Sequence, residues 1–299
     1  MRRDALIRRE HRTTTFDPTI PPVEEVGPGA TVCFETDDSA YVRLAAGESL
    51  DDIGIENLNA VTGPVAIREA EVGDLLRIDV LTIEINRAWA AWLPGFGTLG
   101  YRTSTVQVKQ LGIQGSWLCL DESIRVPLEP MIGCIGLAPA SGQASTLKPT
   151  YPFGGNMDLR ELSPGATLWL PVQVPGGMLS LGDLHAAMGH GEPAHVSVEA
   201  AGSATVRINL EKGRTLPYPR LRVGSDTICV GMDDRTRAAG GTSMAYQRAI
   251  DQVFEYLTIE HAMDPFTAYA YISASVSTRF GGPAGSLVLA IVPDLHRAF

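Results

Sequence analysis

The sequence of 299 residues predicts an α+β fold in which β-structure dominates, with interleaved antiparallel sheets of sandwich-like or barrel-like type and a few late helices. Two observations support this class. First, 31 glycines and 20 prolines are spread along the chain, which is typical of many short elements joined by tight turns. Second, strand-like alternation recurs from residue 29 onwards, whereas apolar residues at helical spacing appear only near the end.

Segments in which apolar and polar residues alternate, or in which β-branched residues are frequent, are predicted to form strands. Gly-Pro, Gly-Asp and Pro-Gly pairs separate them and predict turns between antiparallel neighbours. The predicted strands are TVCFET (31–36), LLRIDVLTIEI (75–85), STVQVKQLGI (104–113), ATLWLPVQV (166–174), AHVSVEAAGSATVRINL (194–210), DTICVGM (226–232) and SLVLAIV (286–292).

Two helices are predicted near the C-terminal end of the chain. The first runs from about Ser243 to Leu257, because its apolar residues recur at helical spacing. The second runs from Pro265, which suits a first-turn position, through Tyr271. The apolar stripe of the first helix consists of Met244, Ile250, Val253, Phe254 and Leu257.

The chain shows no internal repeat, low-complexity segment or linker. We therefore expect one intertwined unit over residues 1–299, β-rich over 1–235 and helix-containing over 236–299. The four cysteines lie far apart and form no C-x-x-C pair, so neither a disulfide framework nor a structural zinc site is expected.

Charge and hydropathy exclude two classes of partner. A net charge of −10 argues against nucleic acid, whose phosphates require a basic face. No apolar run is long enough to span a bilayer, and the N-terminal residues lack the apolar region of a secretory signal. The sequence therefore predicts a soluble cytoplasmic protein.

The segment GFGTLG (95–100) matches a dinucleotide-binding pattern but does not have its context. Pro94 precedes it and a β-favouring segment follows, so no helix N-terminus is available for a pyrophosphate. We interpret it as a Gly-rich turn. Lining a cavity is the one functional role that we expect for it. The neighbouring Trp89, Trp92 and Phe96 are candidates for the wall of a small pocket, with ordinary core and rim packing as the alternative.

Two stretches, GGNMDLREL (154–162) and GDLHAAMGHGE (182–192), concentrate the groups that bind metals or move protons. In a strand, Asp183 and His185 lie on the same side and converge, while Leu184 faces the core. A turn through the glycines would bring Glu192 or His190 back towards them. One histidine with two or three carboxylates is a credible shell for Zn²⁺ or a similar divalent ion.

The same residues also have a structural interpretation. His185 would then be a hydrogen-bonded core residue, Asp158 would cap a helix or turn, and His190 would lie in solvent.

Both stretches resemble the acetamidase/formamidase family, in which a GGNMD segment precedes a HAA-x-G-D-G-E motif. The likeness extends to FETDD (34–38), TGPVAIREAEVGDLLRIDV (62–80), PGFGTLG (94–100) and PMIGCIGLAPA (130–140). It implies hydrolysis of small amides by a metalloenzyme that is often a homodimer. The positions it implies for the site are Asn156, Asp158, Asp183, His185 and Glu192, with Glu35, Asp38 and His11 as weaker candidates.

Together these points predict metal-assisted amide hydrolysis. Asp158, Asp183 and His185 are the predicted ligands of a divalent metal, with zinc expected and calcium or another divalent ion as alternatives. Such an ion lowers the pKa of a bound water towards about 7. Glu192 is predicted to take the water proton and pass it to the leaving nitrogen, while Asn156 donates its amide to the substrate oxygen.

Two positions depart from the family pattern. His190 stands in G-H-G-E (189–192) where the family has an aspartate, and Ser277 stands in SASVSTR (273–279) where another aspartate is expected. His190 is therefore a further candidate ligand that would shift the metal shell towards nitrogen. The alternative functions are a non-catalytic homologue that binds a metal or ligand, and a hydrolase or lyase for a larger amide or lactam.

Overall fold

The computed structural model describes residues 3–148, 151–233 and 242–295. The fold is mostly antiparallel sheet, with 42% of residues in strands and 19% in helices, so the predicted fold class is confirmed. The described strands do not close into a barrel. The predicted boundary at 235/236 lies outside the described residues.

The described residues form twenty strands, which are numbered in chain order. They are β1 Ala5–Ile7, β2 Arg12–Thr13, β3 Thr15–Phe16, β4 Glu24–Val26, β5 Ala30–Glu35, β6 Val61–Ile67, β7 Leu75–Trp92, β8 Gln107–Gln114, β9 Trp117–Cys119, β10 Arg125–Pro127, β11 Met131–Gly136, β12 Ala144–Ser145, β13 Gly154–Asn156, β14 Ala166–Pro171, β15 Leu179–Ala187, β16 Val198–Glu211, β17 Arg220–Val223, β18 Asp226–Met232, β19 Ser277–Gly281 and β20 Leu287–Val292. All seven predicted strands have a counterpart among them.

The long strands β7 and β16 form the centre of the sheet network. They pair antiparallel from Val198 opposite Ala90 to Glu211 opposite Leu75, which includes all of β16 and all but the last two residues of β7. Strand β7 also pairs with β14 and with β8, and strand β16 also pairs with β5. Only β1 with β5 and β4 with β6 pair in parallel among the described strands.

Strand β11 brings together the two polar stretches that the sequence singles out. Its Cys134 lies opposite Asn156 of β13 on one side and opposite Gly182 of β15 on the other. Strand β15 in turn pairs with β16, and the register places His185 opposite Glu199. Residues 154–158, 182–185 and 199 therefore meet in one place because the four neighbouring strands β13, β11, β15 and β16 hold them there.

Four α-helices lie in the described residues: α1 Ser39–Ala45, α2 Leu50–Ile53, α3 Thr242–Glu255 and α4 Pro265–Ser275. The first two are not predicted, and they show that the helices are not confined to the end of the chain. Helix α3 continues into a π-helical turn over Tyr256–Glu260, and in α4 the Asp264 side chain caps the helix by accepting from Thr267 N at 3.0 Å.

The buried face of helix α3 matches the predicted stripe only in part. Ala245, Ala249, Val253 and Leu257 are fully buried, whereas Phe254 is 37% exposed. The reason lies in β18, where a Cβ on Gly231 would overlap with the backbone of α3. Because the helix approaches the strand at backbone contact distance, only small side chains fit between them.

The main core is formed by strands β5–β7, β11 and β14–β16, and a smaller cluster lies between α3, α4, β18 and β20. The pocket described below is embedded in the strands of the main core, so its residues are positioned by the most extensively packed part of the fold. Among the described residues, no helix combines the length and the apolar character needed to cross a membrane.

Candidate active site

Asp183 and His185 converge from strand β15, as the strand periodicity predicts. The distance from His185 Nε2 to Asp183 Oδ1 is 3.6 Å, and Leu184 between them is fully buried in the core. Asp183 has a φ of 54°, a left-handed backbone that is uncommon for a residue other than glycine. Both side chains are buried.

Asp158 approaches the same imidazole from the turn after β13. Its Oδ1 lies 3.7 Å from His185 Nε2, and its own N–H donates to the carbonyl of Gly133 at 3.1 Å. A Cβ at Gly133 would lie 2.7 Å from both Asp158 Oδ1 and Asp183 Oδ2. Glycine at this position therefore leaves the space in which the two carboxylates face each other.

Glu192 returns to the site through the tight turn that the glycines predict. Its N–H donates to Gly189 O at 3.1 Å, and its carbonyl accepts from His195 N at 2.9 Å. Its backbone is left-handed, with a φ of 40°. The carboxylate is buried, and its Oε1 accepts a hydrogen bond from Ser197 Oγ at 3.0 Å.

Glu199 is a site residue that the sequence analysis missed. Its Oε2 lies 3.6 Å from His185 Nε2, and its Oε1 accepts from Ser197 N at 3.1 Å. Glu199 stands in a predicted strand in which polar residues alternate regularly, so nothing marks it as buried. Only the register of β16 against β15 identifies it, and a sequence pattern does not give that register.

Two asparagines bridge the cluster. Asn59, in the 3₁₀ turn before β6, donates through Nδ2 to Asp183 Oδ2 at 2.8 Å and to Asn156 Oδ1 at 3.2 Å. Asn156 itself donates from Nδ2 towards Leu147 O at 3.5 Å. Asn156 therefore lies where it is predicted, whereas Asn59 is a second residue that the sequence analysis missed.

All of these groups except Asp183 face a cavity of about 30 Å³. Of the three aromatic candidates for its wall, only Phe96 lines it. Trp89 is buried elsewhere with its Nε1 donating to Asp38 at 2.8 Å, and Trp92 is 39% exposed with its Nε1 donating to Leu99 O at 3.1 Å. The cavity wall also includes Tyr41, Leu58, Leu147, His195, Val196 and Pro283.

The electrostatics of the cluster are dominated by burial and by an excess of negative charge. Burial raises the pKa of Asp158 well above its ordinary value, and the neighbouring Glu192 adds to this. Burial likewise raises the pKa of Glu192, and it raises the pKa of Glu199 to about 8, with His185 opposing both shifts. For His185, burial lowers the pKa, but Glu199, Asp183 and Asp158 together raise it well above its ordinary value.

Asp38 and Glu35, two of the weaker candidates, have other partners. Asp38 accepts from Arg87 Nη2 at 2.6 Å and from Trp89 Nε1 at 2.8 Å. Glu35 lies near Arg9, whose N–H donates to its Oε2 at 3.4 Å. Neither residue lines the cavity.

His11, His190 and Ser277 are exposed. His190 Nδ1 lies 3.3 Å from Glu161 Oε1, and Arg279 approaches the same oxygen at 3.7 Å. Ser277 begins β19. The two positions that depart from the family pattern thus lie outside the cavity wall.

The donor set of the cluster fits a divalent cation. Within the described residues, one ligand atom each from Asp158, Asp183 and His185 lies within 4.8 Å of the others, and the same holds for His185, Glu192 and Glu199. Asp158 Oδ1 is buried without a hydrogen-bond partner, as is His185 Nδ1. Four carboxylates around one imidazole leave an excess of buried negative charge, which a cation would balance.

The β-dominated fold and this pocket define a class of protein: an enzyme with a small buried site in which carboxylates and an imidazole can hold a cation and transfer protons. The chain belongs to the Acetamidase/Formamidase family, whose family model matches residues 3–119 and 137–285. The resemblance recognised in the sequence is therefore confirmed.

Known relatives bear names from the same family. A putative formamidase of Schizosaccharomyces pombe is 26% identical over 66% of this chain, and the match spans 63% of that relative's own length. An acetamidase of Mycolicibacterium smegmatis is 24% identical over 81% of this chain and 80% of the relative. These names support an amidase.

Solved structures agree in fold. The chain is similar to an acetamidase from Bacillus halodurans, with a TM-score of 0.88 and 30% identity over 98% of both chains. It is also similar to a predicted acetamidase/formamidase from Thermoanaerobacter tengcongensis, with a TM-score of 0.88 and 26% identity, covering 97% of this chain and 95% of the other.

Proposed function

We propose that this protein is an amidase that hydrolyses the C–N bond of a small linear amide of the formamide or acetamide type, giving a carboxylate and ammonia. The observation that carries the proposal is the buried group of four carboxylates and one imidazole, of which the imidazole and all the carboxylates except Asp183 face a cavity of about 30 Å³. Family membership and the names of the relatives support the same reaction.

We infer that a divalent metal is part of the site, with zinc as the expected ion and calcium or another divalent ion as alternatives. Asp158, Asp183 and His185 would hold it, as the unpartnered Asp158 Oδ1 and the space left by Gly133 suggest. When bound, such an ion supplies Lewis acidity towards a carbonyl oxygen and acidifies water.

Glu192 is the proposed proton acceptor for the attacking water and donor to the leaving nitrogen. Its pKa is raised by burial, which brings a carboxylate closer to the range in which it can both take and return a proton. Ser197 fixes one of its oxygens, so the other is available to the water. Asn59 orients Asp183 and Asn156, and Asn156 is the proposed amide donor to the substrate oxygen.

The experiment combines elemental analysis with an ammonia-release assay on formamide and acetamide. We expect stoichiometric divalent metal in the purified protein. Chelation should lower turnover at least about 100-fold, since a catalytic metal stabilises the transition state by several kcal/mol. Adding back zinc or calcium in separate samples identifies the active ion. Full metal content without ammonia from either amide would contradict the amidase proposal.

The structure gives no support to the non-catalytic alternative, which rests on His190 and Ser277. His190 pairs with Glu161 at an exposed position, and Ser277 is exposed at the start of β19. Neither change removes a group from the cavity. The small cavity also argues against the alternative of a larger amide or lactam substrate.

The cytoplasmic location and the homodimer stay predictions. Size-exclusion chromatography with light scattering tests the dimer, with a mass twice that of the chain as the expected result. A mass of one chain would contradict it.

A further inference from the structure

The volume of the cavity limits the amide it can hold, and this inference rests on the proposed function. A water molecule needs about 10–15 Å³ of such volume. The cavity of about 30 Å³ therefore has room for a group of two or three water-sized atoms. Formamide, the smallest amide, comes nearest to this size, and each added carbon must displace part of the wall.

Phe96 is a partly buried residue of the cavity wall that comes from an exposed turn. It lies in the turn after β7, where Gly95, Gly97 and Leu99 are all exposed, and its own side chain is partly buried. Its ring meets the His195 ring edge-on with 4.9 Å between centroids. Tyr41 and Leu58 of the same cavity wall are 6% exposed and belong to a core cluster against which Phe96 packs.

The backbone of this turn is fixed against the segment that follows Glu192. Gly97 has a φ of 72°, and a Cβ there would lie 2.6 Å from Ala194 O and 2.7 Å from His195 Cβ. Glycine is therefore required at 97 both for the conformation and for the close approach. The contact holds the Phe96 ring over the cavity rather than leaving it free in an exposed loop.

We propose that Phe96 sets the upper size limit of the substrate, so that formamide is preferred over acetamide and longer amides are excluded. Because the turn is exposed and Phe96 is only partly buried against its core neighbours, shortening Phe96 opens the cavity outwards without removing a fully buried side chain. A pocket wall that opposes one extra carbon changes kcat/KM by about 10–200-fold. Phe96 thus acts on size selection, while the carboxylates and His185 carry the reaction.

The experiment compares kcat/KM for formamide, acetamide, N-methylformamide and propionamide in the wild type, in Phe96→Ala and in the control Leu99→Ala. Leu99 lies in the same turn and is 47% exposed away from the cavity wall. We expect the wild type to lose about 10-fold or more per added carbon. Phe96→Ala should raise the propionamide-to-formamide ratio at least about 10-fold, and Leu99→Ala should leave it unchanged. Acetamide and N-methylformamide, which have equal size, show which end of the amide faces Phe96.

A second pair of variants tests the anchoring of the turn. Gly95 and Gly97 have similar left-handed φ values of 70° and 72°, but a Cβ at Gly95 would meet no atom within 4 Å. Gly95→Ala is therefore the control for backbone strain, and Gly97→Ala should shift the ratio further because it also breaks the contact with residues 194–195.

The outcomes separate the two proposals. A propionamide-to-formamide ratio in Phe96→Ala within twofold of the wild type would overturn the role of Phe96 while leaving the amidase intact. Wild-type protein that cleaves propionamide as well as formamide would do the same. Absence of ammonia from the three primary amides and of methylamine from N-methylformamide, in every variant, would overturn the proposed function itself.

Discussion

Two buried aspartates in this protein have nearly the same exposure and opposite surroundings. Asp38 is 3% exposed and both of its oxygens are satisfied, one by Arg87 and one by Trp89. Asp158 is 2% exposed, and its Oδ1 has no hydrogen-bond partner. Since buried polar groups are normally paired, a carboxylate oxygen left without a partner indicates a place for a ligand, whereas a paired carboxylate indicates a structural role.

The pKa shifts of two other buried carboxylates differ in the same way between a structural position and the cluster. At Asp74, burial raises the pKa, but hydrogen bonds from Lys212 and from the N–H groups of Gly213 and Glu71 outweigh it and lower the pKa overall. At Glu199, burial raises the pKa to about 8 against the opposing effect of His185.

Left-handed backbone conformations also occur at three residues of the cluster, and such strain is often found at functional sites. These residues are Asp158, Asp183 and Glu192.

The largest expected effect distinguishes the two histidines of the GDLHAAMGHGE stretch. His185→Ala should abolish metal binding and lower amide turnover more than about 100-fold, because it removes the group that all four carboxylates surround. Elemental analysis and ammonia release measure both. His190→Ala is the matched control and should keep metal and activity, since His190 contacts Glu161 at the surface. Full metal content in His185→Ala would rule out His185 as a ligand.

The next effect tests the proton carrier. Glu192→Gln keeps the shape and the hydrogen bond from Ser197, but it removes the proton acceptor, so turnover should fall by roughly 10²–10⁴. Metal content should stay at the wild-type level. Steady-state ammonia release measures the turnover, and elemental analysis measures the metal content. Turnover equal to that of the wild type would contradict the assignment of Glu192 as the proton carrier.

A smaller effect is expected at Asp38, the aspartate whose two oxygens are both paired. Asp38→Asn keeps an acceptor for Trp89 but removes the charge that pairs with Arg87, and it should lower the free energy of unfolding by about 1–2 kcal/mol. Urea denaturation measures this. Metal content should not change, because Asp38 is outside the cluster. Loss of metal in Asp38→Asn would show that the two regions are not separate.

The smallest effect concerns Asp74 and pH. Its folded-state pKa is lowered from the ordinary 3.8, so its ionised form stabilises the fold above that pH, and the stabilisation is lost as pH falls through the lowered pKa. Lys212 is 52% exposed, so we expect less than about 1 kcal/mol. Urea denaturation of wild type and Asp74→Asn should differ at pH 7, and the difference should shrink at about pH 3. An equal difference at both values would contradict this role.

Part of the candidate site was predictable because its residues lie in short local patterns. Asp183 and His185 converge because strand positions two apart share a face, and Glu192 returns because glycines allow the turn. Glu199 and Asn59 were not predictable. They reach the cluster through strand register and through a turn more than one hundred residues away from Asp183, and neither has a distinctive local signal.

The helices show the same limit of prediction from sequence, since part of their packing depends on distant segments of the chain. The positions of α3 and α4 follow from apolar spacing and from Pro265, but the buried face of α3 follows only in part, since Val253 and Leu257 are buried as predicted and Phe254 is not. The face is decided by Gly231 on a neighbouring strand, whose missing side chain lets the helix approach so closely that alanines rather than Phe254 point inwards. Helices α1 and α2 are too short to show a periodic stripe, and they were missed for that reason.

By itself, the sequence determined the β-dominated class, the approximate strands, the family and most of the polar residues of the pocket, because these depend on composition, periodicity and local motifs. The tertiary structure decided which carboxylates meet at His185, that His190 faces outwards, and that Phe96 covers the cavity. These features depend on contacts between segments far apart in the chain, and such contacts are set by register and close packing rather than by local pattern.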